Sequence, residues 1–313
     1  MRRLKLAYRD HDRTPVIFCV KEMAARHYDI DVEVLRIKGT EEYEAALFNG
    51  SSDIIIEHLE YLYEEAAKGK KVTLFCAPSK GANLALLVPG HIQRPEEFKG
   101  KTVAVRSSGQ PHAIALWLRM MGLEKEVKTL LVKDGEVGRW GQWKKVAAGE
   151  CIGTFLSPLY LPEALAAGLK VLPVPEIPIV GHFAQACLSG FARGNPELLR
   201  DYVKAVVHAT CLLIFRRNEA LRIVAAEPMS RMNIQGTEEM ERQVDAIVKG
   251  LKAKPYPTPQ AIANSYEIAT MEYPGAKGLN PLALWDLHWL KELDDEGFID
   301  SLIQEMRRQT VSL

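Results

Sequence analysis

The alternation of apolar and polar positions begins almost at once. "LKLAY", residues 4–8, alternates with period two and predicts a strand. "PVIFCVKEMAARH" follows with helical spacing, Pro15 suiting an early helical position. "DVEVLRI" alternates again and predicts a second strand. "TEEYEAALFNG" reads as a helix with Thr40 as N-cap and Gly50 as terminator. "DIIIEH" is a buried third strand, "EYLYEEAAKG" a helix closing on Gly69, and "VTLFCAP" and "ANLALLVP" further strands. The order β-α-β-α-β-α-β predicts an open α/β sheet with mainly parallel strands.

A second α/β repeat starts near Pro95. "EEFKGKTVAVRSSGQPHAIALWLRMMGL" gives a helical turn, strand, polar loop and helix; "KTLLVKD", "CIGTFLSP" and "KVLPVPE" add strands separated by short helices. Beyond His182 the spacing is helical, with Asn195 as N-cap before Pro196. The expected organisation is two lobes: residues 1–90 with 182–313, and residues 91–181. Two crossings, near residues 88–93 and 177–181, would form a hinge beside an interlobe cleft. The C-terminal helices are expected to wrap over the first lobe.

Composition narrows the classes. The 313 residues are 47% hydrophobic and 26% charged, which supports a sizeable core and argues against disorder. Forty Lys and Arg balance forty Asp and Glu, so neither nucleic acid nor an anionic membrane is expected as a partner. The five cysteines, at 19, 76, 151, 187 and 211, form no C-x-x-C pair and read as free thiols. No signal-peptide-like apolar stretch follows "MRRLKLAYRD", which predicts a cytoplasmic protein.

In open α/β sheets ligands sit beyond the carboxyl ends of the strands. The polar residues there are the candidates. After strand one come Arg9, Asp10, His11, Asp12 and Arg13; after strand three, Glu57 and His58; after "TVAVR", Ser107, Ser108, Gly109, Gln110 and His112. Ser157 follows "CIGTFL", and His182 lies at the second crossing. "RSSGQPHA" is the candidate anion site, with Arg106 or the helix start holding a carboxylate; a plain N-capped turn is the alternative. His11, Glu57, His58 and His182 are the candidate acid/base set. His11, Glu57 and His58 are also the candidate ligands of a divalent metal, the alternative being no cofactor. Asp12 is equally suited to capping the helix at Pro15. Trp140 and Trp143 in "GRWGQWKK" are either a stacking wall over an aromatic ligand or core packing. His27, His91, His208 and His288 read as structural.

The segments "ALFNGSSDIII", "FKGKTVAVRSSGQPHAIALWLRMMGL" and "NPELLRDYVKAVVHA", in this order and spacing, resemble the type II periplasmic-binding-protein fold, in particular its NMT1/SsuA-like group. "DHDRTPV" and "DIIIEHLEYL" are further similar to segments of 4,5-dihydroxyphthalate decarboxylase-like proteins, with Asp10, Asp12, Arg13, Thr14 and Glu57 matching and His11 and His58 departing. The resemblance implies an α/β two-lobed fold and two functions. The favoured one is a cytoplasmic, non-oxidative decarboxylase of a small aromatic or heteroaromatic carboxylate. Arg9, Asp12, Arg13, Arg106, the 107–110 loop, His112 and Ser157 would hold the substrate. The alternative is a non-catalytic binding protein like the receptors of ABC importers. The partner in either case is a small carboxylate or zwitterion. The amphipathic "LWDLHWLKEL" suits a second copy of the chain as well as it suits the core.

Overall fold

A computed structural model describes the chain except residues 10–13, 58, 82–83, 107–109, 181–182, 229–235 and 312–313 and the side chains of 110–113 and 309–311. The chain divides into two compact units, Met1–Lys80 with Ile179–Leu313, and Gly81–Pro178.

The first unit is built on a five-stranded sheet in the order β2-β1-β3-β10-β4. Its strands are β1 (Arg2–Tyr8), β2 (Ile30–Arg36), β3 (Ile54–Ile56), β4 (Val72–Cys76) and β10 (Gln185–Leu188). β1 pairs in parallel with β2, Leu6 opposite Val34, and with β3, Leu6 opposite Ile54. β10 runs antiparallel between β3 and β4. Period two decides which face each side chain enters. Leu4, Leu6, Tyr8, Ile54 and Ile56 join one buried cluster, while Ala7 and Ile55 join the other. The first cluster is covered by α1 (Thr14–Tyr28), α9 (Pro196–Phe215), α10 (Arg217–Ala226) and C-terminal helices, including Phe298–Val311. The second is covered by α2 (Thr40–Ala45), α3 (Tyr61–Ala67) and the helix Pro259–Glu272. The C-terminal helices thus belong to the first unit.

The second unit repeats the plan. Its sheet runs β7-β6-β8-β5-β9, from β5 (Ala85–Pro89), β6 (Thr102–Arg106), β7 (Lys128–Val132), β8 (Gly153–Leu156) and β9 (Leu169–Leu172). β6 is parallel to β7 and β8; β5 lies antiparallel between β8 and β9. Each sheet therefore carries one antiparallel strand, delivered by a crossing, among four that share a direction. The helix α4 (Gln110–Met120) packs on β6, and Trp117 stands edge-on to Phe98 and Phe155 at 5.6 and 5.3 Å.

Three sequence expectations change here. "ANLALLVP" was assigned to the first lobe, up to residue 90; as β5 it pairs with β8 and β9 and belongs to the second sheet. Thr40 does not cap α2: the N-cap is Gly39, and the Thr40 hydroxyl accepts from Arg9 Nη2 at 2.9 Å. Asn195 occupies the N-cap of α9 but makes no side-chain cap; its Nδ2 donates to the Phe191 carbonyl. The residues suited the positions, but the side chains found other partners.

All five cysteines are buried free thiols. Burial pushes the Cys19, Cys187 and Cys211 thiols up to about 12, so they pack as small apolar groups. No described helix is long and apolar enough to cross a membrane.

His27 and His208 join α1 to α9, with ring centroids 4.4 Å apart and the Tyr28 hydroxyl 3.3 Å from His208 Nδ1. Burial, then the neighbouring His27, pushes His208 down to about 4. The folded protein thus refuses a proton that the unfolded chain accepts. Stability is full above the unfolded pKa near 6.5 and falls as pH drops from there towards 4. After allowance for solvent, the loss expected for His208 is about 2 kcal/mol. Urea midpoints at pH 7.5 and 4.5 should differ less in His208→Gln than in the parent; an unchanged difference would remove His208 as the cause.

Candidate functional site

At the carboxyl ends of β1 and β3 the described side chains converge. Glu57, next after β3, is 1% exposed and holds φ +72°, a left-handed conformation that side chains other than glycine and asparagine seldom adopt. Three contacts hold it there. Its N–H donates to the Ala184 carbonyl (3.1 Å), the buried Tyr43 hydroxyl is 2.8 Å from its carbonyl, and its Oε1 accepts from the Arg9 N–H at 2.6 Å. The Arg9 guanidinium in turn lies 6.0 Å from the Tyr43 ring and donates to Thr40. Tyr43 is driven far above its ordinary range by burial and then by Glu57, which keeps its hydroxyl a donor at all ordinary pH. The carboxylate therefore ties the exit of β1 to the exit of β3.

The same unit holds a small pocket. Leu59, Glu60, Tyr63, Leu74, Val180, Ala184 and Ser265 line it, and the Ser265 hydroxyl accepts from the Val180 N–H at 2.9 Å. Sequence reading missed Tyr43, Thr40 as a partner of Arg9, and Ser265. Tyr43 and Ser265 sit on helices, away from the strand ends that mark a ligand site in an open sheet.

In the second unit Arg106 closes β6. Its Nε and Nη2 grip the Asp134 carboxylate at 2.8 and 2.6 Å. The guanidinium holds the Asp134 carboxyl below its usual range. Arg106 was the expected carboxylate-binding group; in the described structure its bidentate partner is the chain's own Asp134. The guanidinium also lies 4.6 Å from the ring of Trp140, which stacks on Tyr160 at 5.9 Å and 22°. Ser157 precedes the turn Pro158–Tyr160, and its carbonyl accepts from the Tyr160 N–H. Trp143 opens the short helix α6 (Trp143–Ala147) beside the Lys144 ammonium.

His11, Asp12, Arg13, His58, Ser107, Ser108, Gly109 and His182 lie outside the described residues, as do the side chains of Gln110 and His112. Of the candidate metal ligands His11, Glu57 and His58, only Glu57 is described. Among the described residues no group of three His, Cys, Asp or Glu side chains is placed to hold a metal ion.

No protein-family model matches the chain, and no curated protein matches it. Solved structures do. The periplasmic sulfonate-binding protein SsuA of a sulfonate ABC transporter from Methylobacillus flagellatus KT matches with a TM-score of 0.64 at 19% identity, over 95% of this chain and 96% of that one. The periplasmic aliphatic sulphonate binding protein SsuA of Escherichia coli matches at 0.62 and 15%, over 88% and 87%. The alkanesulfonate-binding protein SsuA of Xanthomonas axonopodis pv. citri, bound to MOPS, matches at 0.57 and 16%, over 92% and 99%. The chain accordingly has the α/β two-lobed type II periplasmic-binding-protein fold of SsuA-like proteins.

The likeness corrects two expectations. The decarboxylase is overturned: the solved proteins sharing this fold are named as binding proteins, and none of the three carries a lyase name. The cytoplasmic location is overturned by the same group, two of whose members are named as periplasmic. The two expectations have different sources: the location rests on the N-terminal stretch, the decarboxylase on short similar segments and on the strand-end residues. A crowd of ionisable groups at strand ends suits catalysis, but capture of a polar ligand needs the same groups.

Proposed function

We propose that the chain is a substrate-binding protein of an ABC-type importer. It acts outside the cytoplasmic membrane and captures a small organic molecule bearing an oxyanion, a sulfonate or a carboxylate, free or zwitterionic. The observation that carries this reading is the match to sulfonate-binding SsuA proteins over nearly the full length of both chains. The polar groups at the carboxyl ends of the strands fit it. In the first unit the chain supplies Arg9 with the sequence candidates Asp12, Arg13, His11, His58 and His182 for the ligand, and Glu57 fixes the end of β1. In the second unit the candidates by sequence are Arg106, residues 107–110, His112 and Ser157.

Calorimetric titration with MOPS, taurine, linear alkanesulfonates, benzoate and phthalate tests the reading. A sulfonate or carboxylate should bind with Kd of about 1 μM, equivalent to about 8 kcal/mol. The sulfonate and carboxylate arms separate the two oxyanions. Failure of every compound to bind at millimolar concentration overturns the proposal.

A further inference from the structure

Three strand ends of the second unit meet at one indole. Arg106 comes from the end of β6, Asp134 follows β7 and Tyr160 follows β8. Trp140 lies against the first and the last of these, and its backbone N–H donates to the Asp134 carboxylate.

The backbone pays for this placement. Trp140 holds φ +59°, a conformation in which a bulky side chain is a true outlier. The flanking glycines make the turn possible. Gly138 holds φ +87°, and a Cβ on Gly141 would stand 2.2 Å from the Val137 carbonyl oxygen. The Gly141 N–H donates to the Gly138 carbonyl at 2.9 Å and closes the turn. For all this order, the indole Nε1–H is shielded from solvent and has no hydrogen-bond partner among the described residues. An unmet buried donor costs about 1–3 kcal/mol. A strained loop that delivers an unmet donor to the ligand end of a sheet requires an explanation.

We infer that Trp140 is a ligand-contacting residue, its Nε1–H donating to an acceptor oxygen of the bound small molecule. Arg106 and Tyr160 hold the indole so that this edge, rather than either ring face, meets the ligand. The ligand class is then an oxyanion or carbonyl compound with an acceptor oxygen within hydrogen-bond reach of the indole. The inference rests on the binding-protein reading above.

The experiment follows the five indole N–H resonances of the whole, 15N-labelled protein as the panel compound that binds most tightly is titrated in, with Trp140→Phe assigning the Trp140 signal. The Trp140 indole proton should move downfield on saturation. Trp140→Phe should keep its melting profile and lose about tenfold in affinity, the size of one hydrogen bond of about 1.4 kcal/mol. A ligand that binds while the Trp140 signal stays still and Trp140→Phe binds unchanged overturns this role alone. If no panel compound binds, the binding-protein reading falls and this inference with it. A variant too unstable to titrate leaves the decision to the parent's Trp140 signal, identified then by the Tyr160→Leu perturbation of its shift.

Discussion

Replacing Trp117 by alanine is expected to cost the second unit about 4 kcal/mol, the upper part of the range for a buried tryptophan. Trp117 is fully buried between Phe98 and Phe155, so truncation leaves a large apolar void flanked by two edge-on rings. Residues 81–178 form a compact unit of their own. The loss should therefore appear as a separate early transition in urea, with the first unit melting at its parental midpoint. Trp117→Phe should cost much less, about 1–2 kcal/mol. It keeps most of the volume and removes an indole N–H that has no hydrogen-bond partner among the described residues. Far-UV circular dichroism with limited proteolysis inside 81–178 reads both variants. A single transition shifted as a whole would show that the two units unfold together.

Glu57→Ala is expected to be the most damaging single change in the first unit's site. It removes the acceptor of the Arg9 N–H, a charge-assisted bond, and leaves that donor at a half-buried position. The expected cost is about 3 kcal/mol, the sum of a lost bond to a charged group and an exposed desolvation penalty. Glu57→Gln keeps an oxygen in the Oε1 place and should retain more than half of that stability. Glu57→Gly relaxes the φ of +72° while losing the acceptor, so it should fall less far than alanine by about 1 kcal/mol. The ordering Gln, Gly, Ala in urea midpoints separates the bond from the strain. Equal midpoints for all three would mean that neither matters. Titration of the same variants with the binding compound should show the larger affinity losses in Ala and Gly, because the chain leaving β1 is no longer fixed.

Much of the architecture was legible in the sequence because period two and period 3.6 are written by burial. "LKLAY" and "DIIIEH" alternate or saturate with apolar residues, and their side chains divide between the two clusters as that pattern requires. What was not legible is pairing. "ANLALLVP" reads as a strand whichever sheet takes it; its antiparallel partners β8 and β9 come roughly 65 and 85 residues later, and no local signal announces them. Site residues followed the same division. Glu57 and Arg106 were found because they end strands. Their partners, Tyr43 on α2 and Asp134 beyond β7, were missed because helix and loop positions carry no such marker. Function was misread for a chemical reason. A buried carboxylate beside histidines in sequence suits proton transfer, yet the Glu57 oxygen is spent on a backbone N–H.

The strand order of the first sheet bears on synthesis. β10 sits between β3 and β4, yet it is made more than 100 residues after them. Until residues 185–188 leave the ribosome, β3 and β4 each lack a neighbour, and α9 is not yet available to cover their face. The second unit has no such wait, since residues 81–178 are contiguous. It can close while the first unit is still an unfinished sheet. The first 80 residues therefore spend that interval with open strand edges, the state in which a nascent chain most needs a chaperone. A protein built this way should be harder to produce than its final stability suggests, and slower elongation through residues 81–190, which prolongs that interval, should lower its soluble yield.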